Sequence, residues 1–180
     1  KTVLVTGGAG VVAHYAIQLA KWAGALVVTT VSSDAKAAHA RAAGADVIIN
    51  YRTEDVVARI RGETGGVERV VDVDFGRNLP VTSQVLRPNG VIASYASMGE
   101  MEPKFPYGKL FQLNATIRPV FVYTMPDEAK EEAHADIARW LQETKPVFAI
   151  AERYPLKDVI KAHLAVERGA KIGHVILTVD

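Results

Sequence analysis

The chain has 180 residues, of which 49% are hydrophobic and 23% are charged, and its 21 Lys and Arg nearly balance its 20 Asp and Glu. These values are typical of a globular domain and exclude a disordered chain. The net charge of +1 gives no basic surface for nucleic acid, and the lack of cysteine excludes disulfides, thiolate metal ligands and cysteine nucleophiles. No apolar run has the length of a membrane span, so we expect a soluble, cytoplasmic protein with neither nucleic acid nor membrane as a partner.

The first thirty residues alternate between apolar runs and a helical pattern. A β-branched run at residues 2–6 ends at a Gly-Gly pair, which predicts a buried strand closed by a turn. Residues 12–23 have apolar side chains at helical spacing and are followed by Gly24, and residues 25–30 form the next apolar run. The length of this strand–helix–strand pattern is that of a βαβ unit.

The same alternation continues as far as residue 93. Helices are predicted from Ser33 or Asp34 to Ala43, from Thr53 to Gly62 and from Leu79 to Leu86, and strands at 47–49, 67–73 and 91–93, with a turn at 88–90. Such alternation predicts an α/β fold with a doubly wound parallel sheet, because each crossover helix must pack back onto the sheet.

After Ser94 the pattern is looser. Gly, Pro and charged residues at 98–106 predict a loop, and residues 116–123 predict a strand that contains Pro119. Because proline cannot donate to a hydrogen-bond ladder, we expect an edge strand or a bulge there. An amphipathic helix is predicted at 127–143. A short C-terminal strand–helix–strand extension follows, with strands at 148–150 and 175–179 and a helix from Pro155 to Arg168.

A glycine-rich turn lies between the first predicted strand and helix. Its sequence, Gly8-Ala9-Gly10-Val11-Val12-Ala13, has the form G-x-G-x-x-A. Gly8 is expected to permit the tight turn, Gly10 to let the backbone approach a pyrophosphate, and Ala13 to let the helix pack close to the sheet. The free N–H groups of the helix start favour bound phosphate. This context predicts the dinucleotide site of a Rossmann fold, with a purely structural glycine turn as the alternative.

The end of the second predicted strand distinguishes between the two nicotinamide dinucleotides. An NAD site usually has Asp or Glu there to bind the ribose hydroxyls, whereas residues 29–33 are Thr-Thr-Val-Ser-Ser. Ser32, Ser33, Lys36 and the Tyr51-Arg52 pair provide the donors and positive charge that suit a 2′-phosphate. We therefore predict NADP(H) rather than NAD(H). The alternative is that Ser33 only caps the next helix and that Lys36 and Arg52 are solvated surface charges.

Four segments carry a resemblance to a known family. They read TGGAG at residues 6–10, GADVIINY at 44–51, LRPNG at 86–90 and GHVIL at 173–177. These segments resemble the medium-chain dehydrogenase/reductase superfamily, and most closely its zinc-independent, zeta-crystallin-like NADPH:quinone oxidoreductases. The resemblance implies that residues 1–150 are the NADP-binding domain and that residues 151–180 belong to the catalytic domain of a longer parent protein.

The resemblance also implies where the cofactor contacts lie. It assigns the pyrophosphate to the backbone of Gly10, Val11 and Val12, the 2′-phosphate to Ser33, Lys36 and Tyr51, and the nicotinamide to the neighbourhood of Ser94, Tyr95, Phe121 and Tyr123. It implies that the parent protein reduces a quinone or another conjugated carbonyl by hydride transfer from NADPH, without a metal ion, and it leaves a homodimer open. The catalytic residues stay unassigned.

Three features depart from the family pattern. Val11 stands where the family usually has glycine, and its side chain is expected to crowd the phosphates and weaken cofactor binding. Pro119 interrupts a strand that pairs across a dimer in many relatives. The chain also begins at Lys1, directly in an apolar run, so we expect a fragment without its N-terminal catalytic domain and with little turnover. The alternative is a non-catalytic, truncated or engineered Rossmann module whose cofactor binding is weak or lost.

Overall fold

Six strands form one parallel sheet in the computed structural model, which describes residues 1–169 and 171–179. The strands are β1 Thr2–Val5, β2 Leu26–Val31, β3 Val47–Asn50, β4 Val67–Asp72, β5 Leu86–Ser94 and β6 Thr116–Pro119. They lie in the order β3-β2-β1-β4-β5-β6, which is the strand order of a Rossmann fold. The prediction of a doubly wound sheet is confirmed. The order reverses between β1 and β4, and in such sheets ligands bind beyond the carboxyl ends of the strands at this point.

Six α-helices accompany the large sheet, and side-chain caps mark where two of them begin. They are α1 Val11–Trp22, α2 Asp34–Ala42, α3 Val56–Thr64, α4 Phe75–Val85, α5 Tyr107–Gln112 and α6 Asp127–Glu143. Ser33 caps α2 by accepting the N–H of Lys36, and Asp55 caps α3 by accepting the N–H of Ala58. α3 thus begins three residues later than predicted, because the N–H groups of Thr53 and Glu54 donate to the carbonyl of Asn50 and form a turn first.

Helices cover both faces of the sheet. Leu4 and Val5 are adjacent in β1 and fully buried, and they belong to different apolar clusters because successive strand residues point to opposite faces. The cluster around Leu4 includes Ile60 of α3, and the cluster around Val5 includes Ile17 of α1 and Ala40 of α2. The alternation of strands and helices along the chain therefore produces two cores.

The last segment forms a separate two-stranded parallel sheet. Its elements are β7 Ile150–Pro155, a 3₁₀ turn at Leu156–Asp158, α7 Val159–Glu167 and β8 His174–Thr178. The predicted strand–helix–strand extension is confirmed, although the first strand starts at Ile150, where the prediction had it end. The helix consequently begins after the 3₁₀ turn rather than at Pro155.

Three boundaries in the middle of the chain differ from the prediction. α4 begins at Phe75 rather than Leu79, and the N–H of Phe75 donates to the carbonyl of Ala96. The predicted turn at 88–90 is an irregularity inside β5, where Asn89 has φ +61°. The predicted strand at 116–123 ends at Pro119, and a 3₁₀ turn follows at Val122–Thr124. β6 is an edge strand, as its proline predicted.

Among the described residues, no helix combines the length and apolar character needed to span a membrane.

Candidate cofactor-binding cleft

The loop between β1 and α1 makes a tight turn at Gly7. Gly7 has φ +66°, a conformation that favours glycine. The N–H of Gly10 donates to the carbonyl of Gly7 at 2.8 Å. The N–H of Gly8 donates to the carbonyl of Thr30 at 3.0 Å. The left-handed residue of this turn is therefore Gly7.

Gly8 is needed for a different reason, which is the close approach of the loop to β2. A Cβ at Gly8 would lie 2.1 Å from Oγ1 of Thr29. Thr29 cannot move aside easily because it is fully buried and its hydroxyl donates to the carbonyl of Val5 at 2.6 Å. At Gly10, by contrast, a Cβ would meet only the carbonyl oxygen of Gly7, at 3.3 Å. Gly10 is exposed, so its backbone is open to a ligand.

The first turn of α1 presents hydrogen-bond donors to this loop. His14 is the first residue whose N–H bonds within the helix region, to the carbonyl of Gly10 at 2.9 Å. The N–H groups of the three residues before it have no intrahelical acceptor, and Gly10 has no side chain that could cap them. With the positive end of the helix dipole, these donors suit a phosphate. Val11 is half-buried there and Val12 is 54% exposed.

A cleft of about 160 Å³ lies between this loop and the ends of β2 and β3. The predicted residues that line it are Ala9, Gly10, Ser32, Lys36 and Tyr51, together with Gly7, Thr30, Val31, Gly169 and Lys171. The structure thus brings part of the predicted pyrophosphate turn together with part of the predicted 2′-phosphate site.

The charge of this cleft is positive. Lys36 and Lys171 contribute ammonium groups, and no Asp or Glu is among the lining residues. Nζ of Lys36 donates to Oγ of Ser32 at 3.0 Å, which holds the ammonium group at the end of β2. Ser33 does not line the cleft, and its hydroxyl accepts the N–H of Lys36 as a helix cap. Ser33 therefore caps α2.

A larger, more apolar cleft of about 450 Å³ adjoins the first one. The two share Gly7, Thr30 and Tyr51, and the larger cleft continues past Thr6 to Asp74 and Asn78. The buried Asp72 carboxylate organises this wall, because its Oδ1 accepts from the Thr6 hydroxyl at 3.0 Å and from the Asn78 amide at 2.6 Å. Together the two clefts follow the carboxyl ends of β1 to β4.

The residues predicted for the nicotinamide lie further along the same edge of the sheet. Ser94 ends β5, and its carbonyl accepts the N–H of Val120 at 2.7 Å, just beyond β6. Burial, with the nearby Asp72 carboxylate, raises the pKa of Tyr95 to about 12, so this phenol is protonated at neutral pH. Phe121 and Tyr123 are exposed, with ring centroids 5.2 Å apart. None of these four residues lines the Lys36 cleft.

Two lining residues come from a part of the chain that sequence reasoning did not connect with the cofactor. Gly169 and Lys171 lie between α7 and β8 and reach the cleft only because the C-terminal segment packs against α1. No local motif marks Lys171. Gly7, another lining residue that was not predicted, has a signal, since either glycine of the Gly-Gly pair could have taken the left-handed conformation.

Two histidines join α1 to later parts of the chain, His14 to the loop between α6 and β7 and His174 of β8 to Tyr15. Nε2 of His14 is 3.0 Å from the carbonyl oxygen of Val147, and the hydroxyl of Tyr15 is 2.7 Å from Nε2 of His174. The rings of His14 and His39 stack with centroids 4.1 Å apart. Burial lowers the pKa of His14 and also that of His39, and each lowered value means that the fold favours the neutral ring.

We expect stability to fall as the pH drops below about 6.5, the ordinary pKa of histidine in the unfolded chain. Because both folded pKa values are lowered, the unfolded chain binds more protons, and the loss continues until the pH passes the folded values. Urea unfolding at pH 7.5 and 5.5 measures this effect. His39→Gln should flatten the dependence, and the exposed His134→Gln should leave it unchanged. An equal dependence in both variants would contradict the assignment.

The strand order, the glycine turn and the positive cleft together define a Rossmann domain of the dinucleotide-binding type. The family described as zinc-binding dehydrogenase matches residues 11–139. The chain belongs to this family, within the medium-chain dehydrogenase/reductase superfamily, and carries the cofactor-binding domain of that superfamily.

Individual relatives agree with this assignment. Quinone oxidoreductase 1 of Escherichia coli is 34% identical over an alignment 180 positions long, which covers 95% of this chain and 54% of the relative. The crystal structure of Escherichia coli quinone oxidoreductase complexed with NADPH has a TM-score of 0.83 at 30% identity, covering 98% of this chain and 56% of that one. A structure described as an NAD-dependent alcohol dehydrogenase has a TM-score of 0.86 at 28% identity, and the match covers 99% of this chain and 51% of that chain. The chain therefore spans about half the length of these relatives.

The family description raises the question of a zinc site. Within residues 1–169 and 171–179, no group of three or more His, Cys, Asp and Glu side chains is arranged to hold a metal ion. These residues do not fit a zinc ion, and we assign none of them a role as a metal ligand.

Proposed function

We propose that this chain is the NADP(H)-binding part of an oxidoreductase that reduces a quinone or another conjugated carbonyl without a metal ion. The observation that carries the proposal is the cleft at the ends of β2 and β3, where two lysines, a serine and a tyrosine meet and no carboxylate is present. A 2′-phosphate requires donors and positive charge, whereas an NAD site usually has an acid at this position. Two relatives are described as quinone oxidoreductases.

Each predicted residue has a proposed role in holding the cofactor. The N–H groups of the first turn of α1 and the backbone of Gly8, Ala9 and Gly10 hold the pyrophosphate. Lys36, Ser32 and Tyr51 hold the 2′-phosphate, with Lys171 as a further cationic contact from the C-terminal segment. Ser33 contributes by capping α2 and thereby fixing the backbone that carries Lys36.

The nicotinamide is proposed to lie where β5 and β6 end. Ser94 and Tyr95 form one side of this region, and Phe121 and Tyr123 form the other. When bound, the reduced nicotinamide supplies a hydride to the carbonyl substrate. The Tyr95 phenol is protonated at neutral pH, as an ordinary tyrosine is, and its raised pKa of about 12 keeps it so at higher pH, so its hydroxyl is available as a hydrogen-bond donor.

The wider assignment is also a proposal. Residues 1–150 form the cofactor domain, and residues 151–180 belong to the catalytic domain of the parent protein, which is cytoplasmic. A homodimer would use the β6 edge, where Pro119 ends the strand. Substrate must be held against the nicotinamide for transfer, and positioning contributes several kcal/mol to such reactions.

Val11→Gly tests both the cofactor proposal and the effect of the valine. We expect this variant to bind NADPH about three- to tenfold more tightly than the natural chain, because the Val11 side chain crowds the phosphates at the start of α1. A fluorescence titration with NADPH gives both dissociation constants. Val12→Gly is the control, because it lowers the helix propensity of α1 by the same amount one residue later and leaves Val11 in place.

The two variants distinguish two kinds of failure. If neither the natural chain nor Val11→Gly binds NADPH saturably, the cofactor proposal fails, and the alternative of a Rossmann module without cofactor binding replaces it. If Val12→Gly gains as much affinity as Val11→Gly, crowding at position 11 is not the cause.

A further inference from the structure

A second groove lies at the opposite edge of the sheet from the cofactor cleft, where β4 and β5 begin. Its volume is about 340 Å³, within the range of small-molecule sites. It is lined by Gly65 and Gly66 before β4, by residues 83–88, and by Lys109, Gln112 and Leu113 of the α5 region, with Arg61 of α3. It shares no residue with either cofactor cleft.

Three cationic residues, Arg61, Arg87 and Lys109, line this groove, and no Asp or Glu is among its lining residues. Nη2 of Arg61 donates to the carbonyl of Gln84 at 3.0 Å. Nη1 of Arg87 donates to Glu68 at 2.6 Å, and its Nη2 donates to the carbonyl of Thr64. Both guanidinium groups are thus held in place by one or two contacts, and Lys109 is exposed at the rim. Because Glu68 balances only one of the three charges, the groove is electropositive.

The glycines before β4 make room for this arrangement. Gly66 has φ +122°, and a Cβ there would lie 2.8 Å from the carbonyl oxygen of Val85 and 3.1 Å from Cγ of Arg87. A larger residue would therefore clash with the Val85 carbonyl and press against the Arg87 side chain. The present shape of the groove therefore depends on glycine at position 66.

The remaining lining is divided between amides and apolar groups. Gln84 and Gln112 offer side-chain amides, while Val85, Leu86, Pro88 and Leu113 offer apolar surface. We propose that this groove binds a small phosphate monoester. Arg61, Arg87 and Lys109 hold the phosphate, for which the fixed guanidinium groups are well suited, and the organic part lies against the apolar residues.

Titration with phenyl phosphate, followed by residue-resolved amide NMR at constant ionic strength, tests this proposal. We expect saturable shifts at Gly65, Gly66 and Gln112, and at least a tenfold weaker affinity in Arg61→Gln/Lys109→Gln. Lys157→Gln/Lys161→Gln removes the same charge from exposed positions of the C-terminal segment and should leave the affinity unchanged. Arg87 is left intact because its contacts to Glu68 and Thr64 support the fold.

The outcomes separate this groove from the proposed cofactor cleft. Shifts at Gly65 and Gly66 that persist in Lys36→Gln support a second site, whatever the result of NADPH binding. The proposal is overturned if phenyl phosphate shifts only residues of the Lys36 cleft, if no shift saturates, or if the two double variants bind equally well.

Discussion

Replacing Gly8 with alanine is expected to lower the free energy of unfolding by about 2 kcal/mol, the range for overpacking a buried site. The new Cβ would lie 2.1 Å from Oγ1 and 3.0 Å from Cβ of Thr29. Either Thr29 must give up its hydrogen bond to Val5, or the loop must move away from β2. Since the same loop carries the start of α1, we also expect weaker cofactor binding. Urea unfolding followed by circular dichroism measures the change in stability.

Two companion variants show whether Thr29 is the cause. In a Thr29→Ala background the 2.1 Å contact with Oγ1 is removed and the 3.0 Å contact with Cβ remains, so the further loss caused by Gly8→Ala should fall to about 1 kcal/mol, as a double-mutant cycle will show. Gly10→Ala should also cost less than Gly8→Ala in the natural chain, because its nearest contact is 3.3 Å away. If Gly8→Ala costs the same with and without Thr29, close approach to β2 does not explain the glycine.

The second large effect is expected at Lys36. Replacing it with glutamine should weaken NADPH binding by about ten- to a hundredfold, since a charge-assisted hydrogen bond contributes about 1.5–3 kcal/mol. NADH lacks the 2′-phosphate, so its affinity should change by less than about twofold. Titrating both dinucleotides against the variant measures the two effects in the same preparation.

Lys36→Arg and Lys104→Gln are the matched controls for this prediction. Lys36→Arg keeps the charge and should retain most of the preference for NADPH, whereas Lys104→Gln removes a charge from an exposed loop and should change neither affinity. Equal losses of NADPH and NADH affinity in Lys36→Gln would mean that Lys36 supports the fold of α2 rather than binding the phosphate.

The fold followed from the sequence because each crossover has its own local signal. Strands such as β2 are β-branched runs, and helices such as α1 repeat apolar residues at helical spacing, so the βαβ order can be read directly. The first residue of a helix was harder to predict where two neighbouring residues could each act as its N-cap. Threonine is a common N-cap residue, so Thr53 could have capped α3. Asp55 is the cap instead, because the N–H groups of Thr53 and Glu54 donate to the carbonyl of Asn50 and form a turn before the helix.

The candidate site could be predicted only where it lies close in sequence to a strand end. Lys36 and Tyr51 follow β2 and β3, so their meeting follows from parallel pairing of those strands. Lys171 follows no strand of the large sheet, and its place in the cleft depends on contacts such as Tyr15 to His174 that no periodicity encodes. The role of Gly8 likewise depends on the position of Thr29, a neighbour across the sheet.

We propose above that the ends of β2 and β3 recognise a 2′-phosphate. The most direct test is the ratio of the dissociation constants of NADH and NADPH for the natural chain, measured by fluorescence titration at one ionic strength. We predict that NADPH binds at least about tenfold more tightly, and that added salt reduces this ratio because the recognising charges are partly exposed. Equal affinities, or tighter binding of NADH, would contradict the claim.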